Sequence, residues 1–445
     1  MKGLLETFKN IWRIEDLRKR ILITLGLLLV YRIGSFIVLP GVDSAQLAGS
    51  STGGSGLVDL LSIFTGGAFT RASIFALGVM PYISASIIMQ LAGIAIPAVQ
   101  KMQREESGRR KINQWTRYIT IIISLFQAPG YILTYVDAEA RPANDPMWMP
   151  VSVVILTCST LFVMWLGERI TERGLGNGVS LIIMIGILAR LPESFIQEFV
   201  SRMGYGGGGL VVVLMEVVFW LLIIAGNILL VQGTRRIPVQ FAKRVVGNKQ
   251  YGGVRNYVPL KVNAAGVMPI IFAQAIVLIP MYLTQIPALR DVQWMARFSD
   301  YKSVGYNVTL FLMVVAFTYF YTAITVNPNQ LADDMKRNGG FIPGVKPGKA
   351  TAGHIDELLS RITLPGAIFL GIVAILPAIA GGVLGIKDGF AQFFGGTSLL
   401  IMVGVLLDTL QQIESHLLMR HYDGLMKTGR IKGRQSATYS GMAAG

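Results

Sequence analysis

The side chains that make and break bonds are few in this chain and badly spaced for the task. Three histidines and a single cysteine, Cys158, are scattered over 445 residues, which predicts neither a disulfide nor a metal site. No HExxH run occurs, and no pair of intramembrane aspartates or serine with histidine is placed for hydrolysis. The stretch Gly344 to Thr351, GVKPGKAT, begins like a phosphate loop. Only three residues separate Gly344 from the Gly348 and Lys349 pair, however, and Ala350 stands where a Mg²⁺-holding hydroxyl is needed. No enzyme and no cofactor are expected. Glu216 and Asp408 are the acids that could serve ion-coupled solute transport, and each falls near the end of an apolar run. What recurs at regular spacing is aliphatic: Val79, Ile83 and Ile87 at i, i+4 and i+8, and Val179 with Ile183 one turn on. Each set lies on one helical face. Such a face can line a passage, pack in a core or meet lipid, and spacing alone leaves the three open.

Those faces need helices, and the composition places the helices in a membrane: 52% of residues are hydrophobic, 15% are charged, and mean hydropathy is +0.55. Windows long enough to cross occur at 21–39, 72–96, 119–136, 148–166, 179–200, 210–231, 262–285, 308–326, 364–385 and 398–413. Ten spans are predicted. The first is too long for a signal-peptide core, and no A-x-A pattern follows it, so it is expected to be retained. Arg190 and Pro192 interrupt the fifth, and the short tenth carries Asp408. Between the first two spans, Leu57, Leu60, Leu61 and Phe64 form the stripe of a short helix that Gly66 and Gly67 end. At ~1.5 Å per residue it reaches about half-way through a ~30 Å hydrocarbon layer. The second span is broken by Gly78 and Pro81 and lined by the small residues Ser84, Ala85 and Ser86.

With ten spans both termini share a side, and the connections on that side carry 31 of the 40 basic residues. The positive-inside rule puts both ends in the cytoplasm. Arg32 alone sits inside the first span, where it is expected to snorkel toward the nearer interface. Two cytoplasmic connections are more than turns. Residues 232–261 hold Arg235, Arg236, Lys243, Arg244, Lys249, Arg255 and Lys261 with no acid, and residues 327–361 cluster Gly and Pro around Lys346 and Lys349. Orientation and attraction to anionic lipid account for part of this charge. Tyr251, Tyr257 and Phe341 interleave with it, as on surfaces that dock RNA phosphate or an acidic protein.

The hexamer GVMPYI at 78–83 recurs as GVMPII at 266–271. Dividing the chain at the glycine run Gly206 to Gly209, into 1–205 and 206–445, makes each copy second in its half. Five spans per half force opposite orientations, the inverted-repeat plan whose glycine- and proline-broken spans mark the working site. Chance similarity of apolar hexamers is the competing reading.

Several stretches resemble the SecY family of protein-conducting channels: YRIGSF (31–36), RASIFALGVMPYISASIIMQ (71–90), ESGRRKINQWTRY (106–118), WLGERITERGLGNGVSLII (165–183), AKR with KVNAAGVMP (242–244, 261–269) and FGGTSLLI (394–401). The resemblance implies an all-α polytopic fold of two inverted five-helix halves around an hourglass pore. It maps the narrow ring of that pore to Val79, Ile83, Val179, Ile183, Ile270 and Ile401, and the closing plug to the re-entrant helix from Leu57 to Gly66 with its Gly67 hinge. It implies a lateral gate between spans two and seven, with Ser84, Ser86, Ile87, Gln90 and Asn263 as candidates. The basic connections match the docking surface for the ribosome and the SecA motor ATPase, with Arg236 in TRRIPVQ foremost. Lys346 stands where many members carry arginine, which keeps the charge and loses the bidentate fork. Small SecE- and SecG-like membrane subunits, signal sequences with nascent chains, and anionic lipid are the other implied partners. The implied setting is a bacterial-type plasma membrane, and the implied role is a passive conduit. A solute transporter of inverted-repeat type is the alternative, and a scaffold without a pore is a third class.

Overall fold

The structure, a computed structural model, describes residues 12, 14–43, 62, 65–136, 140–142, 145–204, 208–241, 244–246, 249–251, 255–277, 302–382 and 384–427. Its helices are α1 (Glu15–Gly34), α2 (Met80–Ala95), α3 (Pro97–Arg104), α4 (Glu106–Tyr135), α5 (Trp148–Arg173), α6 (Gly178–Met203), α7 (Gly209–Gln232), α8 (Met268–Val277), α9 (Val304–Thr325), α10 (Pro328–Arg337), α11 (Lys349–Gly382), α12 (Asp388–Ala391) and α13 (Gly396–Lys427). Each of the ten predicted spans falls on one of them, in order α1, α2, α4, α5, α6, α7, α8, α9, α11 and α13. Among the described residues seven helices are long and apolar enough to cross a membrane. The other three are charged at the start (α1), only 16 residues long (α2), or described for ten residues (α8). The fifth span is continuous through Pro192, as membrane helices allow where neighbours satisfy the freed carbonyl.

The expected second span differs from the structure over its first third, because 65–79 is a chain of turns and helix begins only at Met80. Irregular backbone at membrane depth survives only if protein satisfies its polar groups. Here Leu39 N–H donates to Ala72 O and Ile74 N–H to Ile37 O, both at 2.8 Å. The hydroxyls of Tyr131 and Ser159 donate to Phe69 O and Ile74 O, both at 2.6 Å. The glycine-proline motif is thus a helix start and not a kink. Gly78 is left-handed (φ +52°) and Pro81 stands in the first turn of α2, where its missing N–H has no intrahelical partner to lose. The second copy repeats this: Gly266 is left-handed (φ +65°) and α8 begins Met268–Pro269.

The helices pack in sequence, α2 on α4, α4 on α5 and α5 on α6, then α8 on α9 and α9 on α11, while α6 joins α13 and α7. Small residues set the closest approach. A Cβ on Gly178 would lie 2.0 Å from Gly167 O and 2.7 Å from Ile170 Cβ, so α5 and α6 meet backbone to backbone. Gly178→Ala is expected to destabilise the fold by about 1–3 kcal/mol, the range for overpacking a tight contact. Gly26→Ala, with nothing within 4 Å, is the control, and unfolding in detergent measures both.

The two basic connections are more ordered than loops. Strands β1 (Thr234–Phe241) and β4 (Arg255–Lys261) pair antiparallel, with Arg236 opposite Pro259, and β5 (Gly340–Phe341) adds to the other edge of β1. A second hairpin pairs β2 (Arg244–Val246) with β3 (Lys249–Tyr251). Ile237 is buried with Leu260 and Ile342, and Val239, two residues on, is buried as well. That alternation has period two, which a 19-residue hydropathy window averages away. Val262 N–H donates to Gly233 O at 2.9 Å, closing the β1–β4 hairpin at its base. In the second connection Asn327 caps α10 through Oδ1, and Lys349 already belongs to the ninth span's helix.

Candidate pore and gate

One cavity of about 510 Å³ lies where α2, α6, α8 and α13 converge. Ile83 comes from α2, Val179 and Ile183 from α6, Ile271 from α8 and Ile401 from α13. The helix starts aim them: Ile83 N–H donates to Val79 O at 3.0 Å, and Asn177 Oδ1 accepts from Ser180 N–H at the head of α6. Val79 is buried in the core that holds Ile183 and Ile401. Ile270, which the family resemblance maps to the ring, is fully buried with Leu230, Ala273 and Tyr306, and Ile271 is the residue at the cavity. Successive helix residues differ by about 100° in direction, so a one-residue error in register exchanges core for cavity.

Ser86, Gln90 and Asn263 line the same cavity, whereas the described lining does not include Ser84 or Ile87. Gln90 Nε2 donates to Ser86 Oγ at 3.3 Å, and its Oε1 accepts from Tyr321 Oη of α9. Tyr321 ties the second span to the eighth, and Phe272 of α8 packs at 6.1 Å from its ring. Sequence reasoning missed Tyr321 because FTYFY at 317–321 carries no signal beyond aromatic enrichment. Asn263 Oδ1 is buried without a hydrogen-bond partner among the described residues.

Of the short predicted helix, Leu57, Leu60, Leu61 and Phe64 lie outside the described residues. Gly66 and Gly67 are both left-handed (φ +64° and +85°). Arg32 Nη1 donates to Gly66 O at 3.4 Å, and its guanidinium lies 5.1 Å from the Phe36 ring centroid. Arg190 donates to Ser62 Oγ. Two arginines thus find polar partners at Gly66 and Ser62, which accounts for charge inside two otherwise apolar spans.

Glu216 is not a lone intramembrane acid. Arg202 of α6 reaches Glu198 at 2.8 Å and Glu216 of α7 at 2.7 Å, with both carboxylates buried. Arg202 also donates to Leu384 O at 2.9 Å, and Glu198 Oε2 accepts from Lys387 N–H at 2.8 Å. Asp408 by contrast faces the cavity. On the basic connections, Arg235 and Arg236 are exposed on β1, Arg244 lies in β2, and Lys346 and Lys349 are exposed at a tip whose turns are Gly344 and Gly348. Lys243 lies outside the described residues.

The SecY family model matches residues 73–410. The chain belongs to the SecY family. It is 40% identical over 442 residues to the protein translocase subunit SecY of Streptomyces galbus, covering 95% of this chain and all of that one. Identity to the Mycobacterium tuberculosis subunit is 41% over 452 residues, again with 95% and full coverage, and to that of Chlamydia muridarum 38% over 461 residues, with 96% and full coverage. Among solved structures, one described as a protein conducting channel aligns over 94% of this chain and 95% of its own at a TM-score of 0.61 and 16% identity. Sec61 in the canine ribosome-channel complex aligns over the same shares at 0.57 and 15%. These two share the fold. As a SecY-family member the chain is a multi-pass membrane protein and the channel subunit of a protein translocase. The matches give a solute transporter no support.

Proposed function

We propose that the cavity is the throat of a passive polypeptide conduit, with Ile83, Val179, Ile183, Ile271 and Ile401 as its collar and Val79 as the supporting layer beneath. The observation that carries this is convergence: four helices, two from 1–205 and two from 206–445, each present β-branched aliphatic side chains to one space. Such a collar can dewet against ions, holds no particular sequence and deforms around a passing chain. The two segments are the inverted halves, and the seam at Gln90, Ser86, Asn263 and Tyr321 is the lateral gate through which hydrophobic segments leave for lipid. The segment ending at Gly66 and Gly67 is the plug, anchored by Arg32 and Arg190.

The chain performs no bond chemistry in this reading, so force comes from a partner such as a SecA-type motor ATPase or the ribosome. Two solved neighbours, the canine complex and the yeast Ssh1 complex, are bound to ribosomes. The exposed arginines of β1 and the Lys346 tip are the docking surface here, at rRNA phosphate or an acidic partner face. SecE- and SecG-like subunits cover apolar flanks, anionic lipid meets the basic connections, and both termini face the cytoplasm of a bacterial-type plasma membrane. A photocrosslinker at Ile83 or Ile271 should capture a stalled secretory chain, and one at Leu222, an exposed residue of α7, should not. Equal capture at all three positions, or capture at Leu222 alone, would overturn the assignment.

A further inference from the structure

We infer that Arg32 and Arg71 form a binding site for a phosphate group around the exposed ring of Phe36, with a lipid headgroup as the occupant its surroundings favour. The site uses none of the cavity residues and stands apart from the conduit reading. Arg32, in the last turn of α1, holds its guanidinium 5.1 Å from the Phe36 ring centroid, and the guanidinium of Arg71 lies 4.6 Å from the same centroid. Those two distances place the cations within about 10 Å of each other, where like charges repel. A third guanidinium is close by. A Cβ on Gly67 would lie 3.5 Å from Arg190 Nε and 3.7 Å from Arg71 Cζ. Arg190 is engaged with Ser62, so it adds positive field to the site and not an open fork. Neither Arg32 nor Arg71 has an ion pair among the described residues: Arg32 gives one N–H to Gly66 O at 3.4 Å, and the Arg71 guanidinium has only the ring. An aromatic face attracts a cation and offers it no acceptor atom. Most N–H donors of the two forks therefore still lack a protein acceptor.

The chemistry of the occupant follows from these groups. Guanidiniums gathered without an acid call for an anion, and a planar fork matches two oxygens of a phosphate at once. A carboxylate has oxygens for one fork, whereas a phosphate can meet two and relieve the repulsion between them. The setting favours a phosphate that carries acyl chains, because Ile33, Phe36 and Ile37 are all exposed beside the cations and form an apolar wall that hydrocarbon can cover. Arg32 is also at the end of α1 remote from Arg18, Lys19 and Arg20. A helix of 20 residues is about 30 Å long, the thickness of the hydrocarbon layer, so the cluster lies at the headgroup level opposite to that basic end. Attraction of anionic lipid to the basic connections is diffuse, whereas this site presents two forks on one ring.

The test uses the full chain with its partner subunits in phosphate-free detergent and two probes, a photoreactive phosphatidylglycerol and radiolabelled inorganic phosphate. The lipid should attach within residues 32–37 or beside Arg71. Arg71→Gln should lower its capture by about tenfold, the value of one hydrogen bond to a charged group. Arg71→Lys keeps the charge and loses the fork, so its capture should fall between the two. Arg71 is exposed, and both variants are expected to unfold at the wild-type temperature. Lipid capture that millimolar inorganic phosphate does not displace supports the headgroup as occupant. Binding of inorganic phosphate alone, lost in Arg71→Gln, supports the phosphate site with the free anion as its source. Binding of neither probe, capture that Arg71→Gln leaves unchanged, or equal capture of a photoreactive diacylglycerol without the phosphate would overturn the proposal.

Discussion

Replacing Arg202 by alanine is expected to destabilise the folded chain by about 3–5 kcal/mol, because it strands two buried carboxylates. Glu198 and Glu216 are 2% and 5% exposed, and the same guanidinium serves both at 2.8 and 2.7 Å. Its bond to Leu384 O and the acceptance of Lys387 N–H by Glu198 extend the cluster to the segment before α12. Three separate stretches of chain lose their common partner in a single substitution. Burial shields these charges from salt, so the loss should persist at high ionic strength, where surface pairs fade. Arg202→Lys should recover part of the stability, since one ammonium cannot fork to two carboxylates and a carbonyl. Combining Arg202→Ala with Glu216→Gln should recover part as well, by removing one stranded charge. Chemical unfolding in detergent reads all three variants. A loss below about 1 kcal/mol for Arg202→Ala, the value of an exposed pair, would contradict the buried-cluster account.

Bridging positions 90 and 321 covalently is expected to stop release of hydrophobic segments. Cysteines at both positions, in a background where the exposed Cys158 is serine, can be joined by a cleavable bifunctional thiol reagent long enough to span a glutamine and a tyrosine end to end. The native contact is one hydrogen bond between Tyr321 and Gln90, worth about 0.5–1.5 kcal/mol net, which a bound segment can replace. A covalent bridge removes the open population instead of biasing it. Insertion of a membrane segment should fall by more than about tenfold and return when the reagent is cleaved. Tyr321→Phe should act in the opposite direction and ease opening. Insertion that continues through an intact bridge would show that segments leave elsewhere.

The spans were legible because bilayer thickness dictates their length, whatever the side chains do in detail. Polar satisfaction was not legible. Arg32 and Arg190 read as intruders in apolar runs, and their partners, Gly66 O and Ser62 Oγ, sit 34 and 128 residues away. Glu216 read as a possible transport acid because Arg202 lies on another helix. The β1–β4 hairpin escaped notice because its alternation covers a few residues inside a charged stretch. The repeated GVMP was found for a sound reason, glycine and proline together in a span, yet its local structure was misjudged. Glycine's left-handed freedom combined with proline's place in a first turn begins a helix as readily as it bends one. Ile270 against Ile271 is the smallest of these differences and shows the limit of carrying a family's ring onto one sequence, since direction on a helix is a tertiary fact.

In the conduit proposed above, those two helix starts give the throat an electrical character that comes from the backbone and not from a side chain. The first turns of α2 and α8 contribute Tyr82, Ile83, Met268 and Ile271 to the cavity wall, and no side chain caps the start of α2. The aligned peptide dipoles of a helix sum to roughly half a positive charge at its N-terminus. In that conduit, two such ends beside the collar add a positive partial charge to a low-dielectric aperture, so a small cation meets dehydration and repulsion at the same point.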